Sequence, residues 1–243
     1  MNFPVLIFLA CAAAGAVAQP PAAEPGADTA SAPAQLVEIK GVRDPEFKPY
    51  AQMLLGVAAF KKFHAYAPAT ELKFILRPRK PIAFDAITLR LDGATTSLPV
   101  EIDQEGVFRL PVVQQAIDEG AELVLNQTKG SVRMRPFIRT PGLGPHQLRL
   151  GDLRLECEII WAIEQQEASF LARNTFKLLG GPCASSKIQS TWSYAQPLKT
   201  ATLVSGDRRL ALPVLYHGYS YAVPIHDKSW DDASTVQFEI LSR

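Results

Sequence analysis

Thr88-Leu89-Arg90-Leu91-Asp92-Gly93 alternates polar and apolar side chains and then breaks on an Asp-Gly pair. A period of two marks a strand with one face on a core, and Asp-Gly is a hairpin-turn dipeptide. Residues 98–102 and 106–110 follow as further short strands. An acidic turn of at most one helical turn then leads to a strand at 122–126, and 131–140 reads as one more. Ahead of the hairpin, a strand is expected at 72–76 and a helix at 50–63, where Met53, Leu54, Val57 and Phe60 recur at helical spacing.

Sliding the chain on itself shows the same pattern twice. At an offset of 116, Phe60-Lys61 falls on Phe176-Lys177 and Pro81-Ile82 on Pro197-Leu198. At 114, Leu89 meets Leu203, and Leu98-Pro99-Val100 meets Leu212-Pro213-Val214. At 113, Phe108-Arg109-Leu110-Pro111-Val112 meets Tyr221-Ala222-Val223-Pro224-Ile225, and Leu123 and Leu125 meet Val236 and Phe238. Small turn deletions produce such a drift. The second copy carries its own helix at 168–179, stopped by Gly180-Gly181, a hairpin turn at Ser205-Gly206-Asp207 and a last strand at 235–241. Residues 153–160 alternate as a strand and also fit a helix face; the repeat favours strand. The expected fold is mainly β with a few helices (α+β): two tandem, internally repeated, small antiparallel β-sandwich-like modules, each preceded by a helix. They span 36–140 and 148–243, joined by a linker at 141–147, which contains Pro141-Gly142-Leu143-Gly144-Pro145.

Leu89-Arg90-Leu91-Asp92-Gly93, Leu98-Pro99-Val100, Asp103 and Gly106-Val107-Phe108-Arg109-Leu110-Pro111 together resemble the strand–turn–strand rhythm of carboxypeptidase-regulatory-like and other immunoglobulin-like modules. The resemblance covers residues 89–111. It implies a β-sandwich fold class and no catalytic residue, and the helix ahead of each copy departs from those modules.

The N-terminus reads as an export signal. Val5 to Ala10 is an apolar block, and Ala16-Val17-Ala18 supplies the small residues a signal peptidase reads, so residues 1–18 are an expected leader. The Pro- and Ala-rich stretch 19–35 has too little to bury and is expected to be a disordered tether. Leu36-Val37-Glu38-Ile39-Lys40 alternates as a strand. A periplasmic or secreted location follows, with no membrane-spanning segment in the mature chain. The net charge of +1 gives no long-range field for nucleic acid. With Cys11 in the leader, Cys157 and Cys183 remain as an even pair in an oxidising compartment, and a disulfide between them is expected.

Chemistry is sparse. No nucleophile-elbow, zincin or phosphate-loop motif is present, and no cofactor or metal is expected. His64 sits at a helix end, as a C-terminal cation would. His217 and His226, with Asp227, Asp231 and Asp232, form the only cluster with ligand or hydrolase chemistry, and only if a hairpin brings the histidines together. Two surface features point to binding instead. Arg133, Arg135 and Arg139 take alternate positions on one strand, near Arg77, Arg79 and Lys80, and such a stripe suits carboxylate or phosphate. Trp192 with Tyr194, and Tyr219 with Tyr221, alternate as aromatic pairs that serve either a core or a sugar platform. The reading is an exported, non-catalytic binding or scaffold protein of the bacterial cell envelope, its partner an unknown protein or envelope polymer. The alternatives are a carbohydrate- or polyanion-binding periplasmic protein and a hydrolase around His217 and His226.

Overall fold

The computed structural model describes residues 42–241. The expected leader, tether and strand at 36–40 lie outside the described residues. β1 (Pro45–Pro49) runs directly into α1 (Tyr50–Phe63), the span read from the apolar spacing. β2 (Lys73–Pro78), β3 (Leu89–Asp92), β4 (Ser97–Val100) and β5 (Val107–Phe108) follow. Next come the short α2 (Gln114–Asp118), β6 (Glu122–Thr128) and β7 (Val132–Phe137). β8 (Gln147–Arg149) enters α3 (Leu150–Glu164), and α4 (Phe170–Leu178) follows. β9 (Thr191–Ser193), β10 (Leu198–Ser205), β11 (Arg208–Ala211), β12 (Val214–Leu215), β13 (Ser220–Ala222) and β14 (Thr235–Ile240) complete the described chain.

The fold class is α+β, with four small antiparallel sheets among the described residues. One four-stranded sheet has the order β1-β6-β3-β4, and the other has β8-β14-β10-β11. In both, a short strand that leads into a long helix forms one edge, and a two-strand hairpin forms the other. The three-stranded sheets are β5-β2-β7 and β12-β13-β9. Phe74 stands opposite Phe108 in the first, with ring centroids 5.7 Å apart, and Trp192 opposite Tyr221 in the second, at 6.4 Å.

Register departs from the sequence alignment at both strands of the hairpin: Leu91, not Leu89, takes the place of Leu203. Leu91 lies opposite Leu98 and Leu123, whereas Leu203 lies opposite Leu210 and Val236. Leu98 therefore takes the place of Leu210, not of Leu212. Leu98 is 40 % exposed and Leu212 only 6 %. A shift of two residues keeps side chains on the same face, so the apolar pattern alone cannot detect it.

Residues 153–160 are helix, correcting the strand favoured by the alignment. The reason is visible in what α3 touches. Leu155, Ile159 and Ile163 enter a core with Tyr50, Met53, Phe74, Leu91 and Leu123. Leu150 and Leu153 enter a second core with Leu203, Tyr221 and Val236, and Cys157 and Trp161 pack against it. The helix carries two apolar stripes, each at helical spacing, and interleaved they imitate the alternation of a strand. Close backbone approach holds it in place. A Cβ on Gly56 of α1 would stand 2.7 Å from Ile163 Cδ1, and a Cβ on Gly151 would stand 2.0 Å from the Tyr66 carbonyl oxygen. Gly151, set against backbone, needs hydrogen in place of a methyl group, whereas at Gly56 the Ile163 side chain would have to shift.

Candidate functional site

The first turns of α3 bury three charged residues, Asp152, Arg154 and Glu156. A buried charge is tolerated only with full hydrogen bonding, and each has it. Arg154 donates to the carbonyls of Ile225 (2.8 Å), Asp227 (2.7 Å) and Trp230 (3.0 Å) and to the Asp232 carboxylate (2.5 Å), fastening the 225–232 segment. Asp152 accepts from the Thr140 N–H (2.9 Å) and hydroxyl (2.6 Å); burial still holds its carboxyl above the usual carboxylate range. Glu156 accepts from the Ile138 N–H (3.0 Å), Arg139 Nη1 (2.7 Å) and Trp192 Nε1 (3.1 Å). These groups tie the chain at 138–140 and the β9 sheet to one helix. Their role is structural.

Outside that helix a different surface opens. A groove of about 640 Å³ runs between β7 and the outer sides of α3 and α4. Met134, Cys157, Ile160, Trp161 and Phe176 make its floor apolar. Trp161 and Phe176 meet edge to face, with centroids 4.9 Å apart, which joins α4 to α3. The Cys157–Cys183 disulfide pins the segment after α4 to the same helix, as the cysteine pair led us to expect.

Charges line the rim. Arg135 pairs with Glu164 and Lys48 with Glu167, and Glu46 accepts the Gly130 N–H. Arg79 and Arg133 also line the groove, and neither has a carboxylate partner among the described residues. Arg133 moreover stands opposite Arg77 in the β2–β7 ladder, a like-charge placement that raises the local positive potential. Four consecutive β7 residues, Val132 to Arg135, line the groove. Successive strand residues point to opposite faces, so the groove meets β7 along its edge. β7 is an end strand of its sheet.

The residues singled out from sequence fall in three places. Arg133 and Arg135 reach the groove, one without an acidic partner and one in an ion pair. Arg139 turns the other way, to Glu156, and lies over the Phe137 ring at 4.4 Å. Trp192 shares that carboxylate and stacks on Tyr221, so the partly exposed Arg139 and Trp192 converge on the buried Glu156. Tyr194 packs on Phe238 at 4.8 Å, its hydroxyl 3.1 Å from His146 Nδ1, and its burial raises the phenol pKa. Tyr219 is exposed. Glu156, which organises the Arg139 and Trp192 contacts, and Trp161, which seats Phe176 beside the groove, were missed; charged residues at every second position from Asp152 to Glu158 were the available signal for Glu156.

The histidine cluster has its acids already engaged. Asp227 accepts the Ser229 N–H (2.9 Å), Asp231 the Ser234 N–H (2.6 Å), and Asp232 holds Arg154. These serine hydrogen bonds hold the carboxyls of Asp227 and Asp231 below the ordinary range. His217 is exposed on a turn where Tyr216, His217 and Gly218 all adopt positive φ. Among the described residues no group of three His, Cys, Asp or Glu side chains is placed to hold a metal ion, and no helix is long and apolar enough to cross a membrane. Comparison of the chain with protein-family models, curated proteins and solved structures finds no match.

Proposed function

We propose that this chain is an exported, non-catalytic binding or scaffold protein that receives an extended, acidic segment of a partner protein in the groove beside β7. One observation carries the reading: an edge strand faces an apolar groove whose rim holds two arginines, Arg79 and Arg133, without acidic partners among the described residues. An edge strand offers backbone N–H and C=O groups that a peptide can match and a sugar polymer cannot, and the guanidinium groups select for carboxylate. The disulfide supports an oxidising compartment outside the cytoplasm. The architecture supports an origin by duplication, with β1–α1–β3–β4–β6 and β8–α3–β10–β11–β14 as the paired series, because both sheets keep the same strand order.

A photo-crosslinking amino acid at Met134, introduced into the chain in its native host, tests this reading. Adducts with a protein are expected, and R79E together with R133E should abolish them. A crosslinker at exposed Leu98 serves as the control site. Adducts that form equally at Leu98, or survive the double charge reversal, overturn the groove as the contact surface.

A further inference from the structure

α4 has the sequence Phe170-Leu171-Ala172-Arg173-Asn174-Thr175-Phe176-Lys177-Leu178, and none of its residues is buried. Phe170, Leu171 and Leu178 are 75, 76 and 89 % exposed. At 100° per residue these three lie on one side of the helix, with the polar Asn174 between them. Arg173 and Lys177, one turn apart, border that side along its Phe170 edge, while Phe176 points the opposite way, onto Trp161. The helix is thus attached by its inner side and bare on its outer side.

Such a helix does not hold itself together. Nine residues are too few for stability in isolation. It is kept in place by the Phe176–Trp161 contact, by the Ser169 side chain capping the Ala172 N–H, and by the disulfide at Cys183 just beyond its end. The fold therefore displays three large apolar side chains to solvent on a covalently anchored element.

The charges indicate what covers them. From Ala168 to Gly206 the chain contains no Asp or Glu, while Arg173, Lys177, Lys187 and Lys199 fall in that stretch. Of these only Lys199 has an ion-pair partner, Glu239, among the described residues. Two copies packed through this face would set Arg173 and Lys177 against the same cations. An apolar side flanked by cations, with no acid, matches the boundary between headgroups and acyl chains of an anionic leaflet. We propose that α4 docks the protein onto an anionic membrane surface. Phe170, Leu171 and Leu178 enter the boundary region, and Arg173 and Lys177 meet lipid phosphates. This inference stands apart from the groove reading and does not depend on it.

Vesicle flotation of the host-processed chain, disulfide intact, provides the test. One set of vesicles contains phosphatidylglycerol and phosphatidylcholine in equal parts, and the other contains phosphatidylcholine alone. Binding to the anionic vesicles is expected, weakening as salt rises. The variant F170S/L171S/L178S should bind at least about tenfold less tightly. R173Q/K177Q should weaken binding several-fold and flatten the salt dependence. All five positions are unburied, so thermal melts of both variants should match the parent. R79E/R133E, which alters the groove rim and leaves α4 untouched, should float at least at the level that its added negative charge allows and should keep its dependence on Phe170, Leu171 and Leu178. Equal binding to both vesicle types, undiminished binding of the triple serine variant, or absence of binding overturns the proposal. So does a dimer in sedimentation that the triple variant dissolves while vesicles bind neither form.

Discussion

Replacing Glu156 by Gln tests how the two halves of the described chain are held together. The carboxylate serves three donors from two directions: the Ile138 N–H and Arg139 Nη1 at one oxygen, Trp192 Nε1 at the other. Gln keeps the volume but has a single acceptor oxygen. Turned to the Ile138–Arg139 pair its NH₂ group would leave two donors unpaired and turned to Trp192 Nε1–H only one, so it faces Trp192, and the Arg139 guanidinium loses its counter-charge. Hydrogen bonds to a charged group contribute about 1.5–3 kcal/mol each, and a buried donor left unpaired costs about 1–3 kcal/mol. The Arg139 side chain is one-third exposed, so water screens part of its loss. The expected destabilisation is about 2–3 kcal/mol. Urea unfolding followed by tryptophan emission and far-ultraviolet circular dichroism measures it. W192F should cost less, and the double variant should show a coupling of about 1–2 kcal/mol, because both changes remove the same bond. A loss below about 0.5 kcal/mol for E156Q, or strict additivity with W192F, refutes the claim that Glu156 organises this junction.

Other predictions rest on single contacts. G151A should cost at least about 2–3 kcal/mol, because its methyl group meets the Tyr66 carbonyl; G144A, whose methyl group would meet only the Gln147 side chain at an ordinary contact distance of 3.6 Å, should stay within about 0.5 kcal/mol, as thermal melts will show. C157S/C183S should lose about 3–4 kcal/mol in urea, since the bridge closes a separation of 26 residues, and limited proteolysis should then cut first around α4. Hydrogen bonds from the Thr95 hydroxyl, the Thr96 N–H and Gln115 pull the Glu119 pKa down from 4.5 to about 2. A carboxyl with a depressed folded pKa contributes stability that is complete above 4.5 and lost as pH falls toward 2. E119Q should therefore be less stable than the parent at neutral pH, and its urea midpoint should decline less on acidification. Parallel decline of the two proteins would contradict that assignment.

Much of the local structure was legible because local rules decide it. α1 follows from the helical spacing of Met53, Leu54, Val57 and Phe60, of which Met53 is buried in one core and Leu54 and Phe60 pack against it, although the fully buried side also takes in Tyr50, Gly56 and Ala59. The hairpins at Asp92-Gly93 and Ser205-Gly206-Asp207 follow from turn residues, and the disulfide from an even cysteine count. α3 was read the wrong way because both of its sides are buried and its polar residues, Asp152, Arg154 and Glu156, are inside too. Periodicity reports which residues are apolar, and here it could not report which of two cores each one enters. The same limit applies to the candidate site. Arg139 and Trp192 looked like surface binders by spacing, yet both turn inward to Glu156, a residue far from either in sequence.

The chain by itself determined the hairpins, the first helix, the cysteine pairing and the α+β class, because turn chemistry and a one-sided apolar stripe act over a few neighbouring residues. Tertiary structure alone decided that α3 is shared between two cores, that β7 lies open beside an apolar groove, and that α4 shows its leucines to solvent. Each of those depends on which surface remains uncovered after packing, and contacts between residues distant in sequence settle that.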